Sequence, residues 1–453
     1  MDIKRRSFLT GSALMATSMV LPKSSDAAPK AIQEEKNKKI ELPPANGGRK
    51  SEAAKKLVLG EPFLQAPGTT SMGIAWTVNC LANGWVDVSE SPDLSNAKRF
   101  ICGGYGVTGF DDKIIQVRIT DLKPSTKYYY RIEAEHIDYV GNYKRYRLDK
   151  AQGAIHSFTT FGEKTSSHFC VMNDTHAKWE QFNLTTSKIR ELNPAAIVWN
   201  GDATNQTEDE ETAINIFLAP KIPYPGYASD IPLLWVNGNH DFRGIALRNM
   251  SRFIMPHLPT ERSPRDWQLG RNFAVRVGDI AMIGLDTGED KPDEHPQFTG
   301  LVSCNQYRIA QGEWLKDQFK RPEIANAPYI VAFCHIPIYD SNPLANPGDI
   351  LEGYASWQRT CNKHWGPTLT KYGAQLVVAA HMHRYRYDKP GEGRSWAQVV
   401  GGGLVLDPQN KRFPVSAPTV IEGKVENGEL VVRVHNVASK EVMATHKFKP
   451  RNV

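Results

Sequence analysis

Phe169-Cys170-Val171-Met172-Asn173-Asp174-Thr175-His176 is a short apolar run that breaks into residue types able to bind a metal. A bounded run of about four apolar residues reads as a buried strand. The pattern recurs four times downstream. Ala196–Trp199 leads to Gly201-Asp202, Leu233–Val236 to Gly238-Asn239-His240-Asp241, Ile330–Phe333 to His335, and Leu376–Ala379 to His381-Met382-His383. Segments near 180–192, 208–219, 309–320 and 357–371 have helical periodicity. Alternating strands and helices predict an α/β layered unit over 163–449. In an open α/β sheet the carboxyl ends of the strands face one crevice, so these loops can meet there. A single Asp-x-His or a single His after a strand is more often structural. Five such motifs in succession, each at a strand end, are hard to obtain by chance.

Upstream, residues 57–162 alternate with period two. Met72, Ile74, Trp76 and Val78 form one apolar stripe, Ile115, Val117 and Ile119 another, and Tyr128, Tyr130, Ile132 and Ala134 a third. This predicts half-buried antiparallel strands. Leu122-Lys123-Pro124 ahead of Tyr128 looks like the tyrosine corner of a β-sandwich. The stretch resembles a fibronectin-III-like domain. Near the carboxyl terminus, Asn427-Gly428 between two apolar runs predicts a hairpin. Residues 28–56, rich in Lys, Glu, Pro and Gly, read as a solvated linker.

Residues 1–27 read as an address. Lys4-Arg5-Arg6-Ser7-Phe8-Leu9, a modestly apolar stretch to Leu21 and Ser25-Asp26-Ala27 resemble a twin-arginine export signal. That resemblance implies the twin-arginine export machinery as a partner and a periplasmic or secreted location. In an oxidising compartment Cys80, Cys102, Cys170, Cys304, Cys334 and Cys361 could pair in several ways.

The chain has 453 residues, 40% hydrophobic and 23% charged, with net charge +6. This balance excludes collagen-like, coiled-coil and wholly disordered chains. No dense Lys/Arg block with interleaved aromatics signals nucleic-acid binding. No apolar run reaches the roughly 18–20 residues of a membrane span.

The five motifs in this order resemble the calcineurin-like metallophosphoesterase superfamily, and the preceding sandwich resembles the amino-terminal domain of purple acid phosphatases. The resemblance implies a four-layer α/β β-sandwich after an all-β sandwich. It implies two metal ions, Fe, Mn or Zn. Asp174, His176 and His383 would hold the first and Asn239, His335 and His381 the second, with Asp202 bridging both. A carboxylate has two oxygens and can span two cations ~3.5–4 Å apart. Nitrogen and oxygen ligands suit these ions better than a thiolate-selected metal. Cys334 beside His335 should point to the opposite face of its strand.

The implied reaction is hydrolysis of a phosphorylated small molecule, most simply a phosphomonoester, by a hydroxide shared between the metals. His240 would protonate the leaving group. Arg243, with its planar fork, suits a phosphate oxygen or a salt bridge within its loop. Where purple acid phosphatases carry the tyrosine of their chromophore, this chain has Asn205, so no purple colour is expected. Many other family members have Asp there, orienting the catalytic histidine. Two alternatives remain open: a phosphodiesterase or nucleotidase of the same fold, and a non-catalytic binding protein. Loops such as 286–308 and 340–356 would decide the substrate.

Overall fold

The computed structural model describes residues 56–104, 106–139, 145–258, 269–340, 354–391, 393–403 and 417–452. The export signal, nearly all of the linker and most of the loop 340–356 lie outside these residues. No helix among the described residues is long and apolar enough to cross a membrane.

Two large sheets carry the chain. The first has nine strands, in the order Glu441–Phe448, Glu429–Asn436, Thr419–Glu426, His168–Met172, Ala196–Asn200, Leu233–Val236, Phe63–Gln65, Met72–Thr77 and Ile114–Ile119. The second has six: Phe273–Val277, Ile280–Gly284, Tyr329–Phe333, Leu376–Ala379, Ala397–Val400 and Arg386–Asp388. Their inner faces share one apolar core, with Phe169, Val171 and Val198 from one sheet against Val331, Phe333 and Val378 from the other. Such strands are apolar on both faces, because helices cover the outer ones. Helix Trp179–Leu192 puts Phe182 and Ile189 on the first sheet. Helix Cys304–Gln318 puts Trp314 and Leu315 on the second. The layers therefore run helix, sheet, sheet, helix.

The five motif strands lie in two sheets rather than in the single open sheet expected from their sequence pattern. Those before Asp174, Asp202 and Asn239 are parallel neighbours in the first sheet. Those before His335 and His381 are parallel neighbours in the second. The predicted helix over 357–371 is two helices, Tyr354–His364 and Gly366–Lys371, with Pro367 at the start of the second. Proline lacks the amide proton needed within a helix, but is tolerated in the first turn. The hairpin Phe273–Val277/Ile280–Gly284 has no counterpart in the sequence reading. Its signal was Gly278-Asp279 between two apolar runs, with Gly278 at φ +59°.

Residues 57–162 divide among three sheets, one of them the two-stranded ribbon Gly103–Gly104/Val107–Thr108. Ala82–Ser89, Lys98–Ile101, Lys127–Tyr139, Arg145–Gln152 and His156–Thr159 form a separate sheet. It packs Val86, Tyr130 and Ile132 against Ile74, Trp76 and Val117. The Tyr128 hydroxyl accepts from the Lys123 backbone N–H at 2.9 Å, closing the loop around Pro124. The other three strands extend the nine-stranded sheet, with Gln65 in parallel register with Leu233. Gln65, 1% exposed, also clasps the backbone on the far side. Its amide donates to the Phe253 carbonyl at 2.9 Å, and its oxygen accepts from the Met255 N–H at 3.0 Å.

Candidate metal centre

At the carboxyl edge of the two sheets, two sets of ligand types converge. One is Asp174, His176 and His383; the other is Asp202, His335 and His381. Each set offers three ligand atoms within 4.8 Å of one another. His176 Nε2 faces His383 Nε2 at 3.2 Å, and Asp174 Oδ1 lies 3.5 Å from His383 Nε2. Asp202 Oδ2 lies 3.2 Å from His335 Nε2 and 3.7 Å from His176 Nε2, so one carboxylate oxygen addresses both sets. Asn239 Oδ1 lies 3.0 Å from His381 Nδ1, which adds an oxygen to the second set. All seven residues expected to bind metal are thus neighbours.

The backbone makes this convergence possible at a cost. Asp174, His176, Asp202, His381 and His383 all have positive φ, between 45° and 68°. Non-glycine residues rarely adopt this region, and such strain clusters at functional sites. Gly238 supplies close approach: a Cβ there would lie 2.2 Å from Asp202 Oδ1 and 2.3 Å from Asp202 N.

The residues fit a pair of cations by two tests. Asp174 Oδ1 and His335 Nε2 are buried and have no hydrogen-bond partner, yet both face other ligand atoms. Buried polar atoms without partners are costly unless something else coordinates them. The site also draws positive charge. Burial disfavours a charged His335, but Asp202 and Asp174 beside it raise its pKa to about 10. Burial likewise opposes the Asp202 charge, and His335 nonetheless holds that carboxyl well below its usual range.

Other groups aim the ligands. The Asn200 carbonyl meets His335 Nδ1 at 2.8 Å, which turns Nε2 inward. Asn173 Nδ2 donates to Asp174 Oδ2 at 2.6 Å, leaving Oδ1 for the site. Orienting bonds of this kind fix tautomer and ring direction. Asp241 ties two loops together. Its Oδ2 accepts the backbone N–H groups of Asp202 at 2.9 Å and Gly238 at 2.8 Å, and its Oδ1 accepts that of Ala203 at 3.1 Å. Burial and the Asp202 charge push Asp241 up to about 8. Cys334 is buried in the core of the helix-covered face of the second sheet, away from the ligands.

His240 sits beside this centre, its ring centroid 5.1 Å from that of His176. Its backbone N–H donates to Asp202 Oδ1 at 2.9 Å. Its Nδ1 meets the backbone carbonyl of Asn205 at 2.8 Å, so the main chain at that position orients the ring. Burial lowers the His240 pKa, and Arg243 lowers it further. Arg243 does not turn its fork toward the candidate ligands. Nε and Nη2 donate to Glu289 Oε1 and Oε2 at 3.1 and 3.0 Å, and Nη2 also donates to Asp290 at 3.0 Å. The salt bridge thus reaches another loop rather than closing within its own. Glu289, Asp290 and the Asn200 carbonyl carried no sequence signal, because their roles depend on a neighbour distant in the chain.

Residues 167–385 match the family model for the calcineurin-like phosphoesterases. Among curated proteins, the chain is 27% identical over 314 residues to purple acid phosphatase 15 of Arabidopsis thaliana, covering 62% of this chain and 50% of that protein. It is 26% identical over 159 residues to the serine/threonine-protein phosphatase CPPED1 of Mus musculus, covering 34% of this chain and 42% of that protein. The chain spans about half the length of the curated relatives it matches. The solved purple acid phosphatase PPD1 of yellow lupin (Lupinus luteus) aligns with TM-score 0.57 and 13% identity, over 87% of this chain and 74% of that one. That likeness is one of fold.

Proposed function

We propose that this protein hydrolyses phosphoester bonds, most simply those of phosphomonoesters, at a centre of two metal ions. The observation that carries this reading is that Asp202 Oδ2, a member of the second ligand set, lies 3.2 Å from His335 Nε2 and also 3.7 Å from His176 Nε2 of the first. Asp174, His176 and His383 would hold one ion and Asn239, His335 and His381 the other, with Asp202 available to both. Nitrogen and oxygen donors suit Fe, Mn or Zn. When bound, such ions supply a Lewis acid and water of lowered pKa.

The chain's own residues supply the rest. His240, anchored through Nδ1 on the Asn205 carbonyl, keeps Nε2 as the nitrogen that donates a proton to the leaving oxygen. Arg243 brings a fixed positive charge against the His240 ring. The helix–sheet–sheet–helix body holds these side chains still, so orientation is set before the substrate arrives. The sheet that includes Ala82–Ser89 and Lys127–Tyr139 braces the strands by which residues 57–162 extend the first sheet. The arginine pair at residues 5 and 6 supports export of the folded protein, with a periplasmic or secreted destination.

The test is direct. Purified protein loaded in turn with Zn, Mn and Fe is assayed on p-nitrophenyl phosphate and bis-p-nitrophenyl phosphate, with metal content measured. Two ions per chain and turnover of the monoester are expected. Preferential turnover of the diester would make it a phosphodiesterase. Two bound ions without turnover of either would make it a binding protein.

A further inference from the structure

Arg243 lies against His240, with Nη1 3.2 Å from both ring nitrogens. The rest of its guanidinium is clamped from behind. Glu289 takes Nε and Nη2 in a two-point bond, and Asp290 takes Nη2 again. The Glu289 side chain is 1% exposed and that of Arg243 is 16% exposed. A buried ion pair is weak evidence for stability, since an apolar pair of similar volume often serves the fold as well. Its firm output is geometry: a two-point bond fixes the plane of the guanidinium.

The loop that carries the clamp is itself fixed. Arg308, 1% exposed, donates to the carbonyls of Thr287 at 2.8 Å and Glu289 at 2.6 Å. Lys291 meets Asp290 Oδ1 at 2.7 Å. Only the Nη1 edge is directed at His240. We infer that Glu289, assisted by Asp290, is a positioning residue that holds the Nη1 edge of Arg243 where the leaving-group oxygen departs. This rests on the phosphoester-hydrolase reading above.

The step balances as follows. Water oxygen bonds to phosphorus and loses one proton to solvent. The bond from phosphorus to the leaving oxygen breaks, its electron pair stays on that oxygen, and His240 gives the oxygen a proton. Solvent then restores the His240 proton. Arg243 keeps its protons throughout and contributes a charge-assisted hydrogen bond to the oxygen as negative charge develops. Such a donor matters most when the leaving group is a poor one, because more charge accumulates on it. Loss of one pre-aligned donor typically costs about 10²–10³ in rate.

The experiment compares Glu289→Gln and Arg243→Lys with the wild type, all metal-loaded, across phosphate monoesters from activated phenols to simple alkyl alcohols. Gln keeps the shape but loses the charge; Lys keeps the charge but loses the fork. On alkyl esters kcat should fall about 10²–10³-fold, and on the most activated aryl ester less than about tenfold. KM and metal content should stay near wild type. Loss of the same size across the whole series, or loss confined to thermal stability or bound metal, would show a purely structural role and overturn the inference. If Glu289→Gln does not fold, Arg243→Lys carries the test by the same criteria. A metal-loaded wild type that cleaves none of the esters overturns the hydrolase reading and this inference with it.

Discussion

The two oxygens of Asp202 serve different tasks, and His240 receives one of them. Oδ1 accepts the His240 backbone N–H at 2.9 Å, while Oδ2 faces His335 and His176. One side chain thus couples the candidate ligand sets to the loop that carries His240.

That coupling separates two variants. Asp202→Ala should lose at least one metal ion and at least about 10³ of kcat, because the shared ligand is gone. His240→Ala should keep both ions and lose about 10²–10⁴ in turnover, the usual size of a general-acid contribution. Elemental analysis alongside steady-state kinetics checks the pair. A metal-free His240→Ala protein would contradict the assigned roles.

Gly238→Ala probes the closeness of the loops. The added Cβ would meet Asp202 backbone and side chain at under 2.5 Å, so the loop must move. For the wild type, saturating metal at about 100 times its Kd should add about 2.7 kcal/mol of stability over the chelated protein. In Gly238→Ala that increment should shrink or vanish. Thermal unfolding with and without a chelator measures both; an undiminished increment would show that the loop accommodates the methyl group.

A second polar cluster predicts pH-dependent stability away from the site. Glu422, 5% exposed, meets His168 Nε2 at 3.0 Å and His435 Nε2 at 2.9 Å. Burial alone would raise its pKa, but the two histidines hold it far below the ordinary 4.5. A depressed carboxyl contributes stability that is complete above its unfolded pKa and is lost as pH falls toward the folded value. Glu422→Gln should therefore cost roughly 2–3 kcal/mol at pH 6, the size of one hydrogen bond to a charged group. The gap from wild type should narrow as pH drops below about 4. Denaturant midpoints at pH 6 and pH 3 check it, and a gap independent of pH would count against the ionised carboxylate.

The shared nine-stranded sheet predicts a single unfolding event for residues 57–162 and the catalytic layers. Phe63, fully buried, belongs to the same core cluster as Phe182, Trp199 and Trp235. Phe63→Ala should cost about 3–5 kcal/mol, read as one transition of lower midpoint. Two separated transitions in calorimetry would show that the units fold independently.

How much of this was legible before the fold is clear from particular residues. The convergence of the candidate ligands was readable because each follows a strand, and strand ends carry a local signature of four apolar residues and a polar break. The tyrosine at 128 was readable for the same reason, since its partner lies five residues away. Glu289 was not readable, because nothing near it in the chain announces that Arg243 will arrive there. Nor was the role of position 205, where the backbone carbonyl, common to every residue type, meets His240.

The amino-acid order by itself singled out the candidate ligands and the alternation of strands and helices. Hydrophobic period and strand-end chemistry are local properties, and burial enforces them wherever the segment lies. Only the tertiary structure decided that the ligands come from two sheets packed face to face, and that Phe63–Gln65 adds to the first sheet beside Leu233–Val236. Strand pairing and sheet stacking join segments far apart in the chain. Many partners satisfy the same local pattern, and the packing of the whole selects among them.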